Sequence, residues 1–195
     1  MKSDSNQIIG YVAVAVILIS LFFIGAKITG NVATETGLVN VTISTAAALN
    51  FTTAILDFGS GSVVSGTAIL QSNGTGLNTS WSGPKVTGEL VLVNIGNVDV
   101  TLTLEANNTA TGFIGGASGA GLAAMVTNTT GHTTSCVAAN FSGNFQPINT
   151  TTQLACNPLS FSGNNSIDID FELQIPLDAV GAKTVGIVAT GTATS

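Results

Sequence analysis

Ile167, Ile169, Phe171, Leu173 and Ile175 alternate without a break with Asp168, Asp170, Glu172 and Gln174. Successive side chains leave a strand on opposite faces, so this pattern marks a strand with one face on an apolar core and the other in water. Val98, Val100, Leu102 and Leu104 repeat it against Asp99, Thr101, Thr103 and Glu105, and Val39, Val41 and Ile43 repeat it against Asn40, Thr42 and Ser44. Glu89 to Val93 is apolar on both faces and reads as a more central strand, from which Ile95-Gly96-Asn97 makes a tight turn into the Val98 strand. Leu49 to Phe58 carries one or two further strands, and Thr67 to Gln71 a short one. After Pro176, the turn Asp178 to Gly181 leads into a closing hairpin arm, Thr184 to Ala189. Gly112 to Ala124 is rich in Gly and Ala and reads as a loop or a short helical turn. Strands separated by turn signals, with no amphipathic helix pattern, predict an all-β antiparallel sandwich or jelly roll.

The surface of such a domain has little charge to draw on. Only 7% of residues are charged, against roughly 25% in an ordinary soluble domain. Thr, Ser, Asn and Gly must supply the polar surface, and these suit strands and turns better than helices. The chain has 4 Lys, no Arg and a net charge of −6. Binding to nucleic acid needs clustered cations to neutralise phosphates, so that function class is excluded.

Ile8 to Ala26 contains no charge, and at about 1.5 Å per residue a helix of this length approaches the thickness of a hydrocarbon core. Extension to Ile28 makes the span comfortable. A segment apolar on every face at the start of the chain predicts a membrane anchor with the remainder outside. Two alternatives stand beside it: a signal peptide cut after Ile24-Gly25-Ala26, and a pilin-like helix buried in a filament core. The expected organisation is a hydrophobic helix over residues 1–28, a linker over 29–38 and an extracytoplasmic β-sandwich domain over 39–195.

Two further features agree with an extracytoplasmic domain. Cys136 and Cys156 are the only cysteines, lack CxxC spacing and predict a disulfide, which persists in oxidising compartments. Closing a loop of this size stabilises by about 3 kcal/mol in the chain-entropy treatment. Asn-x-Ser/Thr triplets begin at Asn40, Asn50, Asn73, Asn78, Asn107, Asn128, Asn140, Asn149 and Asn164. Random placement of the same Asn, Ser and Thr gives about four such triplets, so glycosylation signals are enriched roughly twofold.

Catalytic patterns are sparse. His132 is the single histidine and lies in a polar Asn/Thr run that reads as a surface loop. Neither G-x-S-x-G nor H-E-x-x-H occurs, and Gly112 to Gly121 lacks the Lys of a phosphate loop. Asp168, Asp170 and Glu172 form a carboxylate ladder that reads either as a solvated strand face or as oxygen ligands for Ca²⁺. Trp81, in Ser80-Trp-Ser-Gly-Pro84, reads either as a cover for the end of the sandwich or as a stacking platform for sugars or a partner.

Leu56-Asp57-Phe58-Gly59, the run Glu89 to Leu102 with its Asn94-Ile-Gly96-Asn97 turn, and Phe171 to Pro176 resemble the strand and hairpin elements of TasA/camelysin-like secreted fibre subunits and related archaeal bundling-pilus proteins. That resemblance implies a jelly-roll domain and polymerisation by strand donation. The combined expectation is a cell-surface structural or adhesive protein, with membrane contact through Ile8 to Ile28. The alternatives are a subunit of a pilus or biofilm fibre and a carbohydrate-binding module. No enzyme activity, nucleic-acid partner or cofactor is expected.

Overall fold

The computed structural model describes residues 41–74, 80–116, 118–137 and 141–194. The expected helix over 1–28 and linker over 29–38 lie outside these residues. The fold is all-β, and its compact unit runs Ile43–Ser195.

The described strands are β1 (Leu49–Thr53), β2 (Thr67–Gln71), β3 (Leu90–Asn94), β4 (Val100–Ala106), β5 (Gly121–Asn128), β6 (Gln146–Pro147), β7 (Gln153–Leu159), β8 (Ser166–Pro176) and β9 (Ile187–Ala193). A single helical turn, α1 (Ala110–Ile114), follows β4. Its N-cap is Thr109, whose Oγ1 accepts the Gly112 N–H at 3.1 Å. The strands form two antiparallel sheets. One has the order β1-β3-β8-β5-β6, with β2 also on β8, and the other the order β7-β4-β9.

The unbroken alternation of β8 makes it the spine of the larger sheet. Its first half pairs with β3, Leu90 opposite Ile169 and Val93 opposite Ser166. Its second half pairs with β2, Gln71 opposite Glu172 and Thr67 opposite Pro176. Its other edge pairs with β5 from Asn128–Ile167 to Gly121–Gln174. The inward residues of β8 join Leu90 and Leu92 of β3 and Leu122, Ala124 and Val126 of β5 in one apolar core with Val100, Leu102 and Leu104 of β4. This is a β-sandwich-like arrangement, with alternate residues of each sheet turned inward.

Besides β5, which begins at Gly121 inside the stretch Gly112 to Ala124 read as a loop or helical turn, and β7, which no pattern marked, the structure departs from the sequence pattern at three places. Residues 41–48 form no strand, and Val41 and Ile43 are 77% and 80% exposed. Their alternation finds no ladder partner here, because residues 44–48 bond instead to the Asn94–Asn97 turn. β3 and β4 form no hairpin: β3 pairs with β1 and β8, whereas β4 pairs with β7 and β9 in the other sheet. The Gly-containing turn therefore crosses between sheets. The closing arm is β9, which pairs with β4 along its whole length instead of returning onto β8.

Burial on β4 alternates strictly, so neighbouring residues bear very different loads. Leu102→Ala removes a fully buried side chain and is expected to cost about 2–5 kcal/mol, whereas Thr103→Ala on the outer face should shift stability by about 0.5 kcal/mol or less. Urea unfolding of the two variants checks this, and equal losses would refute the assignment of faces.

Candidate functional site

The Asn94-Ile95-Gly96-Asn97 turn joins three parts of the domain. Asn94 ends β3 and is fully buried. Its Nδ2 donates to the Val98 carbonyl at 2.9 Å and to the Leu159 carbonyl at 3.2 Å, while its Oδ1 accepts the Gly96 N–H at 3.0 Å. Leu159 ends β7, so one carboxamide ties the larger sheet to the smaller. Asn97 holds the entering chain: its Oδ1 accepts the Ala46 N–H at 2.7 Å, and its Nδ2 donates to the Ser44 carbonyl at 2.9 Å. The Asn97 and Ile95 N–H groups donate to the Ala46 and Ala48 carbonyls at 3.1 and 2.9 Å. A side chain at Gly96 would run into the Ala46 carbonyl, so the close approach requires glycine.

A second constellation surrounds the disulfide. Cys136 and Cys156 are bonded, with Cα atoms 5.2 Å apart, and Cys156 is fully buried on β7. The chain between β5 and Cys136 folds around Asn128. Its Oδ1 accepts the Cys136 N–H at 2.9 Å, and its Nδ2 donates to the Thr133 carbonyl at 3.1 Å. His132 lies in this loop, half-buried, with its N–H donating to the Thr129 carbonyl and its Nδ1 enclosed without a hydrogen-bond partner.

Trp81 is partly buried and packs against the core. Ideal Cβ atoms at Gly61 and Gly83 would lie 2.5 Å from its ring, so the indole sits clamped between two glycine backbones. Ser62 and Ser82 fix this small ladder through paired backbone and hydroxyl hydrogen bonds. Trp81 Nε1 is enclosed with no hydrogen-bond partner.

The carboxylates of β8 do not form a uniform solvated ladder. Asp170 is only 7% exposed and sits where β8 passes from β3 to β2. Ser72 Oγ donates to it at 2.9 Å and itself accepts the Phe171 N–H. Burial, reinforced by the charge of Asp168, pushes the Asp170 carboxyl above the ordinary range, with the Ser72 bond acting in the opposite direction. Glu89 is also raised, first by burial and then by Asp168 and Asp170. Asp168 accepts the Thr129 hydroxyl at 2.6 Å, and Glu172 accepts from Gln71 and Gln174. The Ca²⁺ candidates Asp168, Asp170 and Glu172 are thus each held by hydroxyl or amide donors. Among the described residues no group of three or more His, Cys, Asp or Glu is placed to hold a metal ion.

The sequons fall in different surroundings. Asn40, Asn78 and Asn140 lie outside the described residues. Asn50 is exposed on β1, and Asn73 bridges to Thr87. Asn107 Oδ1 accepts the Gly186 N–H at 2.9 Å. Asn149 stands exposed between β6 and β7, and Asn164 precedes β8. Beside Asn149 runs an open groove of about 320 Å³, lined by small residues such as Ala110, Gly121 and Ala123 together with Glu172 and Gln174. Such a shallow, open surface lacks the enclosure of a small-molecule site.

No protein-family model, curated protein or solved structure matches this chain. Among the described residues no helix is long and apolar enough to cross a membrane, and the apolar run Ile8 to Ala26 is not among them. Sequence patterns did not single out the amide clamps of Asn94, Asn97 and Asn128 or the Ser72–Asp170 pair. Their only sequence signal is Asn next to turn glycine, or Asn beginning a sequon.

A carboxyl raised in the fold binds protons more tightly there than in the unfolded chain. Stability therefore falls as pH rises through the window between the ordinary Asp range, near about 4, and the raised folded value. Asp170→Asn keeps an acceptor for Ser72 and removes that penalty. It is expected to melt at a higher temperature than the parent at pH 7, with the gap closing below about pH 4. Thermal melts at both pH values test this, and a variant less stable at pH 7 would refute it. Replacing both cysteines by Ala should cost about 3 kcal/mol of stability, read by denaturant unfolding under oxidising conditions.

Proposed function

We propose that this chain is a cell-surface structural or adhesive protein. Its apolar N-terminal segment holds it in the membrane and displays a glycosylated β-sandwich domain of jelly-roll plan outside. The observation that carries this reading is the Cys136–Cys156 disulfide, which ties the chain just after the His132 loop to β7. Such bonds persist outside the reducing cytoplasm. Three features support the same reading. The anchor-length apolar run precedes the domain. Sequons are enriched, and several stand at exposed positions of the described fold. The outer surface is built from hydroxyl and amide groups on a rigid two-sheet body. In this role the domain acts through its shape and surface, with no bond made or broken.

A second reading, a pilus or biofilm fibre subunit, is favoured by one specific feature. Val41 and Ile43 belong to a strand-patterned run, yet residues 41–48 form no strand and leave both side chains exposed. Pairing of that run with a sheet edge of a neighbouring copy would cover them.

The N-terminal sequence of the mature protein from its own cells, taken together with protease treatment of intact cells, separates these readings. The anchored reading expects a start at Met1 or Lys2, a protein in the membrane fraction and a domain cleaved from outside. A start near Lys27 removes the anchor and favours released, fibre-forming subunits, and a start near Tyr11 replaces the anchor with a filament-core helix. A domain protected in intact cells but cleaved after lysis would refute both.

A further inference from the structure

The sequons are chemically alike in sequence but not in the fold. A glycan acceptor must present its Nδ2 to the transferring enzyme, and the hydroxyl residue two positions on is part of the recognised signature. The backbone between them must also be able to enter the enzyme's cleft, which a segment held in a sheet ladder resists.

Asn128 fails the first condition. Its Nδ2 is bound to the Thr133 carbonyl and its Oδ1 to the Cys136 N–H, so the carboxamide braces the loop that runs from Asn128 to the disulfide-bonded Cys136. Attachment of a sugar would place bulk inside that loop. Asn107 fails the second: the hydroxyl of its sequon, Thr109 Oγ1, is occupied as the N-cap of α1, and its own Oδ1 holds Gly186. Asn164 fails the second as well, because Ser166 is 6% exposed and its hydroxyl pairs with Thr129 at 2.9 Å. Asn50 is exposed but fails the third, since Asn50, Phe51 and Thr53 sit in the ladder with β3.

Asn149 meets all three conditions. Asn149, Thr150 and Thr151 are exposed in the bend between β6 and β7. Its Oδ1 accepts the Thr151 N–H at 2.7 Å, an Asx turn that points Nδ2 away from that bond and brings the sequon ends together. The base of the bend is fixed, because the Asn149 carbonyl accepts the Ala106 N–H and the Ile148 N–H donates to Leu122. Among the described residues neither Asn149 Nδ2 nor the Thr151 hydroxyl has a hydrogen-bond partner.

We infer that Asn149 is a glycan acceptor of the folded domain and that Asn128, despite its sequon, is a structural brace that stays unmodified; this rests on the extracytoplasmic reading above. The donor is a lipid-linked oligosaccharide. Asn149 Nδ2 bonds to the anomeric carbon of its first sugar as the bond from that carbon to the lipid phosphate oxygen breaks. The lipid phosphate leaves with the bonding electron pair, and Nδ2 gives up one of its two protons. Asn149 is bonded to Ala106, at the end of β4 opposite Val100, so the sugar is attached at that end of β4.

The test is glycopeptide mapping of the protein from its own cells, combined with protease treatment of intact cells and the variants Thr151→Ala and Thr151→Ser. The inference expects sugar on the Asn149 peptide and none on the Asn128 peptide. Thr151→Ala should lower the intact mass by one whole glycan, Thr151→Ser should restore it, and the disulfide should form in both. A domain cleaved from outside but bare at Asn149, modified at Asn128, or unchanged in glycan mass by Thr151→Ala overturns the inference while leaving the surface reading standing. A domain reached by protease only after lysis overturns both.

Discussion

The carboxamide of Asn94 is the constraint on which the arrangement of the two sheets depends. A chain crossing from one sheet to another leaves backbone groups with no ladder partner, and such groups are costly when buried. Asn94 carries two donors and an acceptor in one compact group. It satisfies the Val98 and Leu159 carbonyls and the Gly96 N–H at the point where the backbone leaves β3. An aliphatic residue of similar size would fill the same space but lose all three hydrogen bonds. Asn165 adds to the junction from β8's side by donating to the Asn94 carbonyl at 3.0 Å. The crossing between layers is therefore specified by amides and completed by the glycine that lets residues 46–48 approach.

This use of asparagine follows from the scarcity of charge. With so few Lys, Asp and Glu, the chain has few groups able to make long-range ion pairs, and its irregular segments rely on neutral side chains that imitate the backbone. Asn97 behaves as an additional strand residue towards Ala46 and Ser44, and Asn128 does the same for the loop that leads to Cys136. Neutral hydrogen bonds of this kind contribute about 1 kcal/mol each, but leaving a buried partner unsatisfied costs about 1–3 kcal/mol. Their effect is therefore to forbid alternative paths of the chain more than to add stability. The few carboxylates present concentrate near β8, where burial and then the charge of Asp168 raise the Asp170 carboxyl, and burial and then the charges of Asp168 and Asp170 raise that of Glu89. Ser72 offsets part of that penalty at the one place where β8 changes partner.

Strand existence was legible wherever one face was buried and the other wet. β8 and β4 announce themselves because their outward residues are Asp, Glu, Gln and Thr. β5 was hidden because its outward residues are Gly121, Ala123, Met125 and Thr127, which offer little polar contrast to Leu122, Ala124 and Val126. β7 was hidden because Cys156 and Pro158 interrupt its pattern. Pro158 is tolerated there because β7 lies at an edge of its sheet, where a missing N–H leaves no ladder bond unmade. Partner choice was far less legible than strand existence. The sequence shows that a turn follows β3, but whether that turn folds the chain back or carries it to the other sheet depends on Asn94 reaching Leu159, sixty-five residues away in sequence. Val41 and Ile43 fail in the opposite sense: their alternation is clear, but a strand also needs an edge to join, and residues 44–48 are taken by the turn.

The same amide chemistry explains why a surface motif and a structural brace look identical in sequence. An Asn followed by a hydroxyl residue favours local turns, since its Oδ1 can capture a nearby N–H, and those turns occur at loop tips as well as inside closed loops. At Asn149 the captured N–H belongs to the sequon itself, so the turn is self-contained and its Nδ2 remains outside. At Asn128 the captured N–H belongs to Cys136, eight residues on, so the side chain reaches inward and both of its polar atoms are used. Sequence separation between an asparagine and the N–H that it captures is thus the physical variable that divides display from bracing. It becomes visible only once the disulfide and β5 have placed Cys136 beside Asn128.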